Sequence, residues 1–284
     1  MQKTKRSLIR MALYISAAAI LCACASMRSA SNSGNIDTAN LSQLQSVRND
    51  PVRANTTNNG TDVSPMRAKM LEDTALSVGA QGGLSWASER INIKLEADRK
   101  YLETIYNFNA MLLSHGVLPP VLEASTNNLN QDDPDTIRVA DRSYKIIQQA
   151  RFVTTPPNWR EYLTMSYPKP TLPDKSLLPR SAEEQKVWSD AVAKGWDKGI
   201  AQSYSIFQQN LARLKRDYTG MIIYRKLLQA RMISPPYVAT TDLGITGDGT
   251  DMRVNDQVLR IVAHPKLQTN GNGWKAIVVN HNDQ

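Results

Sequence analysis

Residues Ser181–Tyr218 read SAEEQKVWSDAVAKGWDKGIAQSYSIFQQNLARLKRDY. This stretch decides the fold class. Ser181-Ala-Glu-Glu184 is a capping box, in which the serine hydroxyl satisfies a first-turn N–H and the glutamate reaches back to the cap. Behind it, Trp188, Val192, Gly195, Gly199, Ser203 and Ile206 recur at helical spacing and line one side. The pattern predicts a strong helical region to about Tyr218. Gly195, Gly199 and Ser203 are small, so a second helix can approach this side closely. The surroundings are too polar for a membrane-spanning version of the same seam.

A partner for that seam lies toward the N-terminus. Ala68, Leu71, Ala75 and Val78 keep the helical period, as do Leu84, Ile91, Leu95, Leu102, Ile105 and Leu112. Gly79 and Gly82-Gly83 interrupt them, so the reading is one helix with a glycine kink, or two helices. His115-Gly116 ends the run and Pro119-Pro120 forbids its continuation. Residues 123–135 are rich in Asn and Asp and read as a loop. Thr136 to Val153 has β character, with a turn around Asp141-Arg142. Trp159 to Met165 reads as a short helix, and residues 168–179, with Pro168, Pro170, Pro173 and Pro179, as a stiff extended connector. Beyond Tyr218, Met221 to Leu228 reads as a further helix. Tyr237–Thr241, Met252–Val254 and Gln257–Val262 read as strands.

Two parts of the chain echo each other. Arg138-Val-Ala-Asp141-Arg-Ser-Tyr144-Lys-Ile146 matches Arg253-Val-Asn-Asp256-Gln-Val-Leu259-Arg-Ile261 at an offset of 115. Pro119-Pro120 and Pro235-Pro236 match at an offset of 116, each after a helix ending in an apolar pair, Leu112-Leu113 and Leu227-Leu228. The expectation is a duplicated unit whose strands pair in one sheet. The fold class is therefore α+β: a helix-rich single domain with a small mixed or antiparallel sheet built from two similar hairpin units.

The first 24 residues carry different information. Lys3, Lys5, Arg6 and Arg10 precede the apolar run Met11 to Leu21, which is too short to span a bilayer of roughly 30 Å. It reads as the core of an export signal. Leu21-Cys22-Ala23-Cys24 then matches a bacterial lipobox: a branched apolar residue, a tolerant position, a small residue and the cysteine that accepts diacylglycerol. Cys24 is the expected lipid attachment site, because Cys22 follows the bulky Leu21. One acyl chain binds a membrane only marginally, at about 0.8 kcal/mol per buried methylene, but two or three on one cysteine hold firmly. Ala25 stands where an Asp would signal inner-membrane retention, which favours the outer membrane. The expected organisation is a signal peptide over 1–23, a lipidated flexible tether over 24–66, an α+β domain over 67–268 and a polar tail over 269–284. The tether is assigned on composition: it is dense in Ser, Asn, Thr and Gly and lacks aromatic residues.

Charge and chemistry exclude more than they assign. The net charge is +8 over 284 residues. Without residues 1–23 the balance is 30 basic to 26 acidic residues, ordinary for a surface and no argument for nucleic-acid binding. The only cysteines are Cys22 and Cys24, which leaves the folded part no disulfide, thiolate nucleophile or cysteine metal site. His115, His264 and His281 have no metal-ligand spacing. Ile245-Thr-Gly-Asp248-Gly-Thr-Asp251 lacks the ligand pattern of a calcium loop and reads as a tight turn. Phosphate-loop, nucleophile-elbow and dinucleotide fingerprints are absent. No catalytic residue, metal or cofactor is expected.

Several ordered stretches resemble one family. Ala75-Leu-Ser-Val-Gly-Ala-Gln-Gly-Gly-Leu84, Leu118-Pro-Pro-Val-Leu122, Thr154-Thr-Pro-Pro-Asn-Trp-Arg160, Gly220-Met-Ile-Ile-Tyr-Arg-Lys-Leu-Leu228, Ser234-Pro-Pro-Tyr-Val238 and Thr241-Asp-Leu-Gly-Ile-Thr-Gly-Asp-Gly249 are similar to the DotC lipoproteins of type IVB secretion systems. IncI-type conjugation systems call the counterpart TraI. The likeness covers roughly residues 66–267. It implies a structural outer-membrane lipoprotein, facing the periplasm, in a ring-shaped core complex that exports conjugative DNA–protein or effector substrates. Its implied partners are a DotH-like outer-membrane subunit, which it helps to localise, and a DotD-like lipoprotein. No direct contact with nucleic acid is implied. The alternative from the residues alone is a lipid-tethered periplasmic cell-wall enzyme.

Overall fold

The computed structural model describes residues 37–49 and 64–275. Two long helices dominate it: α2 (Pro65–Ala97) and α5 (Ala182–Gln229). A short α1 (Leu41–Gln45) precedes them, α3 (Arg99–Ile105) follows α2, and α4 (Trp159–Leu163) lies between. The strands are β1 (Val117–Leu118), β2 (Val121–Asp133), β3 (Thr136–Gln148), β4 (Arg151–Phe152), β5 (Tyr237–Gly247) and β6 (Met252–Ala263). They form three separate two-stranded antiparallel sheets, β1–β4, β2–β3 and β5–β6. The α+β fold class stands. The single shared sheet does not: no ladder joins the two hairpins among the described residues.

The helices α2 and α5 run parallel, since Arg67 meets Glu184, Gly79 meets Val192, Gly83 meets Trp196 and Ser88 meets Ser203. Their seam is reciprocal. A Cβ on Gly79 would overlap the carbonyl of Val192, and one on Gly195 would overlap the carbonyl of Leu76. Likewise Gly83 lies on the Trp196 carbonyl and Gly199 on the Ala80 carbonyl. Each contact maps onto its mate when 116 is added to one partner and subtracted from the other. The two halves of the chain therefore pair about a local pseudo-twofold. Backbone-to-backbone contact at four glycines leaves no room for any larger side chain. Ser88 and Ser203, both buried, share a 3.1 Å hydrogen bond farther along.

The glycines do not kink α2, which is unbroken through Gly79, Gly82 and Gly83. The break falls at Asp98, with φ −91° and ψ 12°. The α5 residue at the equivalent place is Leu214, fully buried. Nor does α5 end near Tyr218: it continues through Thr219-Gly220 to Gln229, because Gly220 is where β2 crosses closest. Ser181 caps α5 by accepting from the Glu184 N–H, but the Glu184 carboxylate, expected to reach back to the cap, accepts instead from Arg67 and from the Arg180 N–H. The reciprocal capping box of this fold is at Asn158 and Glu161, where α4 begins.

Parallel helices need a long return path. Hairpin β2–β3 and α4 lie on it, followed by the proline-rich connector. That connector runs back along α2, where side chains satisfy its backbone. Asn92 donates to the Met165 carbonyl at 2.6 Å and accepts its N–H at 3.1 Å. The Ser85 hydroxyl donates to Tyr167, and Arg67 donates to the carbonyls of Ser176 and Leu178.

Part of the segment read as a flexible tether is ordered. Asn40 caps α1, Leu44 and Val47 enter the core beside Trp188, and the Trp188 indole donates to the Leu44 carbonyl at 2.9 Å. Three apolar residues at helical spacing, Leu41, Leu44 and Val47, suffice for docking although the surrounding composition is polar.

Candidate functional site

Leu21, Cys22, Ala23 and Cys24 lie outside the described residues, as does His281. Within them the accessible features are the two hairpins. The stretch read as a loop, 123–135, is most of β2, and the turn lies at Pro134-Asp135, not at Asp141-Arg142. Asn128 and Asn130 form strand here because their backbone pairs with Ala140 and Arg138 of β3 while the residues themselves stay exposed.

The two hairpins share one register. Leu122 pairs with Ile146 and Val238 with Ile261; Ala124 pairs with Tyr144 and Thr240 with Leu259; Leu129 pairs with Val139 and Ile245 with Val254. Every one of these pairs obeys the offsets of 116 and 115. Both hairpins have a register shift at their first pair; the next lies near the tip of β2–β3, between Gln131 and Asp133, but halfway along β5–β6, on either side of Gly244. Positive φ occurs at Asn127 in one hairpin and at Gly244 and Asn255 in the other. The correspondence extends to their bases. Val117 pairs with Phe152 as Ile233 pairs with Leu267, and His115 and Arg231 both have left-handed backbone, at φ 61° and 57°. His115 is thus a turn residue.

The tips also match. Leu129, Ile137 and Val139 on one hairpin correspond to Ile245, Met252 and Val254 on the other. All six are between 56% and 70% exposed. Two clusters of apolar side chains in solvent, at equivalent positions, are unusual for a surface built to stay alone. The hairpins are also acidic. Residues 121–148 hold five acids and three bases, and residues 237–263 hold four acids and two bases. At the second tip, the Asp248 carboxylate accepts from the Thr250 hydroxyl and from the N–H groups of Thr250 and Asp251. The Thr250 hydroxyl, with those N–H groups, holds its carboxyl below the usual range. All its partners are local donors, as in a tight turn.

The roots of the hairpins differ. Val121 and Leu122 are 0% and 1% exposed, buried against Met221, Tyr224 and Leu227 of α5. Gly220 lets β2 cross α5, since a Cβ there would stand 2.6 Å from the Leu122 carbonyl oxygen. Their equivalents Tyr237 and Val238 are exposed and half-buried, and no residue of β5 or β6 is buried. Between the β2–β3 root and α5 is a groove of about 720 Å³, lined by Tyr144, Ile223, Leu227 and Met232 with Arg142, Lys226 and Lys275.

Buried polar groups are few. The Tyr162 hydroxyl donates to Asp217 at 3.1 Å; burial, then the Asp217 charge, pushes its pKa up to about 12. Burial alone does the same to Tyr224. Among the described residues, no three His, Cys, Asp or Glu side chains are placed to hold a metal ion, and no helix is long and apolar enough to cross a membrane.

The described residues thus form a helix pair with a reciprocal glycine seam and two hairpins whose tips expose apolar side chains. The sequence profile that matches this chain is that of a type IV secretory system family, described as acting in conjugal DNA–protein transfer, and the match spans residues 65–276. The chain belongs to this family, T4SS_TraI. The resemblance to TraI and DotC proteins read from the motifs is thereby established, and the matched region contains both units of the repeat. No curated protein matches the chain.

Proposed function

We propose that this protein is a non-catalytic outer-membrane lipoprotein that helps assemble the core complex of a conjugative type IVB secretion system. Residues 1–23 direct export. Cys24, presented by Leu21, Cys22 and Ala23, carries the acyl chains that hold the domain at the periplasmic face of the outer membrane. The domain recruits a DotH-like subunit to that membrane together with a DotD-like lipoprotein, without touching the transferred nucleic acid. The observation that carries this reading is the family match over residues 65–276, behind a lipobox in the same chain.

The test is genetic and biochemical. Deletion should abolish conjugation and move the DotH-like subunit out of the outer-membrane fraction. A Cys24→Ser chain should lose metabolically incorporated palmitate and fail to restore that distribution. Normal transfer and normal fractionation in the deletion strain would overturn the proposal.

A further inference from the structure

The repeat runs on past the second hairpin. Val153 donates to the Gly116 carbonyl at 3.0 Å, and Gln268 donates to the Met232 carbonyl at 2.8 Å. These bonds keep the offsets of 115 and 116 where each hairpin ends. Continued at 115, Phe152, Thr154, Trp159 and Arg160 match Leu267, Thr269, Trp274 and Lys275. In the first unit the chain then forms α4, whose Trp159 and Leu163 are buried in one cluster with Phe108 and Met111. In the second unit the sequence at this place is Trp274-Lys-Ala-Ile-Val-Val279, with Val278 at the position of Leu163. The mates of Phe108 and Met111 are Tyr224 and Leu227. Trp274 itself departs from the pattern: it is 44% exposed, and its indole donates to the Gln268 carbonyl.

The groove between the β2–β3 root and α5 lies beside these mates. Leu227 lines it, and Tyr144, Ile223 and Met232, which pack on the cluster of Tyr224 and Leu227, are its other large apolar residues. Lys275 lines it too, and the Lys275 N–H donates to the Ala230 carbonyl at the end of α5, at 2.8 Å. The chain is thus delivered to the groove at the residue before Ala276. Charge agrees with apolar character. Arg142, Lys226 and Lys275 line the groove and no acid does, whereas residues 276–284, which lie outside the described residues, carry Asp283 and neither Lys nor Arg. We propose that Ala276–Val279 docks in this groove, with its branched side chains against Ile223, Leu227 and Met232. The segment closes the second unit as α4 closes the first. The groove is then an intramolecular seat, and a peptide from a partner or an acyl chain is the competing occupant.

The inference rests on the groove and the repeat and is independent of lipid attachment and of the proposed secretion role. The full chain, purified in detergent, is the material for the test. Amides of Ile277–Val279 should exchange at least about tenfold more slowly than in a free peptide of Trp274–Gln284. Val278→Asp should return Ile277 and Val279 to the free-peptide rate, because it places a charge in an apolar seat. This substitution alters only the segment, and an unchanged circular dichroism spectrum should show the helix pair intact. Lys226→Glu, at an exposed residue of the groove, should speed the same exchange by about threefold, as expected for reversing a charge at a rim. Lys198→Glu, on the same helix but about 40 Å away along its axis, should leave it unaltered. A benzophenone amino acid at position 278 should crosslink within its own chain, to peptides containing Tyr144, Ile223 or Met232. Exchange of Ile277–Val279 at the free-peptide rate in the parent chain would overturn the inference, and so would crosslinks scattered over the surface. Crosslinks joining two chains would give the segment to a second copy and would overturn it as well.

Discussion

The two units of the repeat began with equal means and ended differently. In the second, the helix is continuous for 48 residues and reaches beneath the first unit's hairpin. In the first, the helix stops at Asp98 and its remainder is a short α3 followed by irregular chain. The substitutions responsible are visible at matched positions. Leu214 is buried where Asp98 faces solvent, and Gly220 admits a strand where Thr104 does not. Phe108 and Tyr224, also matched, are both buried, so the asymmetry is local. One helix supports a neighbour, while the other leaves a hairpin without support.

The comparison can be broken at its shared foundation. Gly199→Ala would force a methyl group into the Ala80 carbonyl, with backbone on both sides and nothing able to rotate away. The expected loss exceeds about 3 kcal/mol, at the upper end of overpacking costs, and urea unfolding followed by circular dichroism would register it. A result within about 0.5 kcal/mol of the parent would disprove the seam.

The asymmetry itself is tested by a matched pair. Gly220→Ala should destabilise by about 1–3 kcal/mol and speed amide exchange in β2. Thr104→Ala should stay within about 0.5 kcal/mol, because that side chain is exposed and bonds only its own turn. Equal effects would mean that the two helices support hairpins alike.

The smallest effect concerns the ion pair where the helices begin. Arg67 binds Glu184 with two hydrogen bonds, one of 3.1 Å, and Glu184 also accepts the Arg180 N–H. The Arg67 guanidinium holds the Glu184 carboxyl below its ordinary range. This contribution is fully present above the ordinary glutamate value and is lost as pH falls through the lowered one. Glu184→Gln should cost about 1 kcal/mol at pH 7 and flatten the acid limb of stability. An unchanged acid limb would show that the pair does not report folding.

Much of this fold is legible in the residues. The serine cap at Ser181, the small-residue seam of α5 and the doubled Arg-Val-x-Asp pattern each reappear as structure. The errors share one cause. Segments 123–135 and Thr219-Gly220 look like a loop and a helix end by composition, but distant partners decide them. Asn128 and Asn130 become strand because Ala140 and Arg138 lie opposite, and Gly220 stays helical because β2 needs its flat surface. The difference between the two roots was not legible, since Leu122 and Val238 look equally suited to a core although the first is buried and the second only half-buried. Only the fate of the helix 116 positions away distinguishes them.

The reciprocal glycine seam also sets an order of events. Gly79 and Gly83 have no surface to meet until Val192 to Gly199 have been made, more than a hundred residues later. The seam face of α2 therefore stays uncovered until that part of α5 exists. The hairpin β2–β3 waits as well, because its floor is the last third of α5. A chain halted before residue 199 would therefore present the seam face of α2 to whatever holds nascent chains.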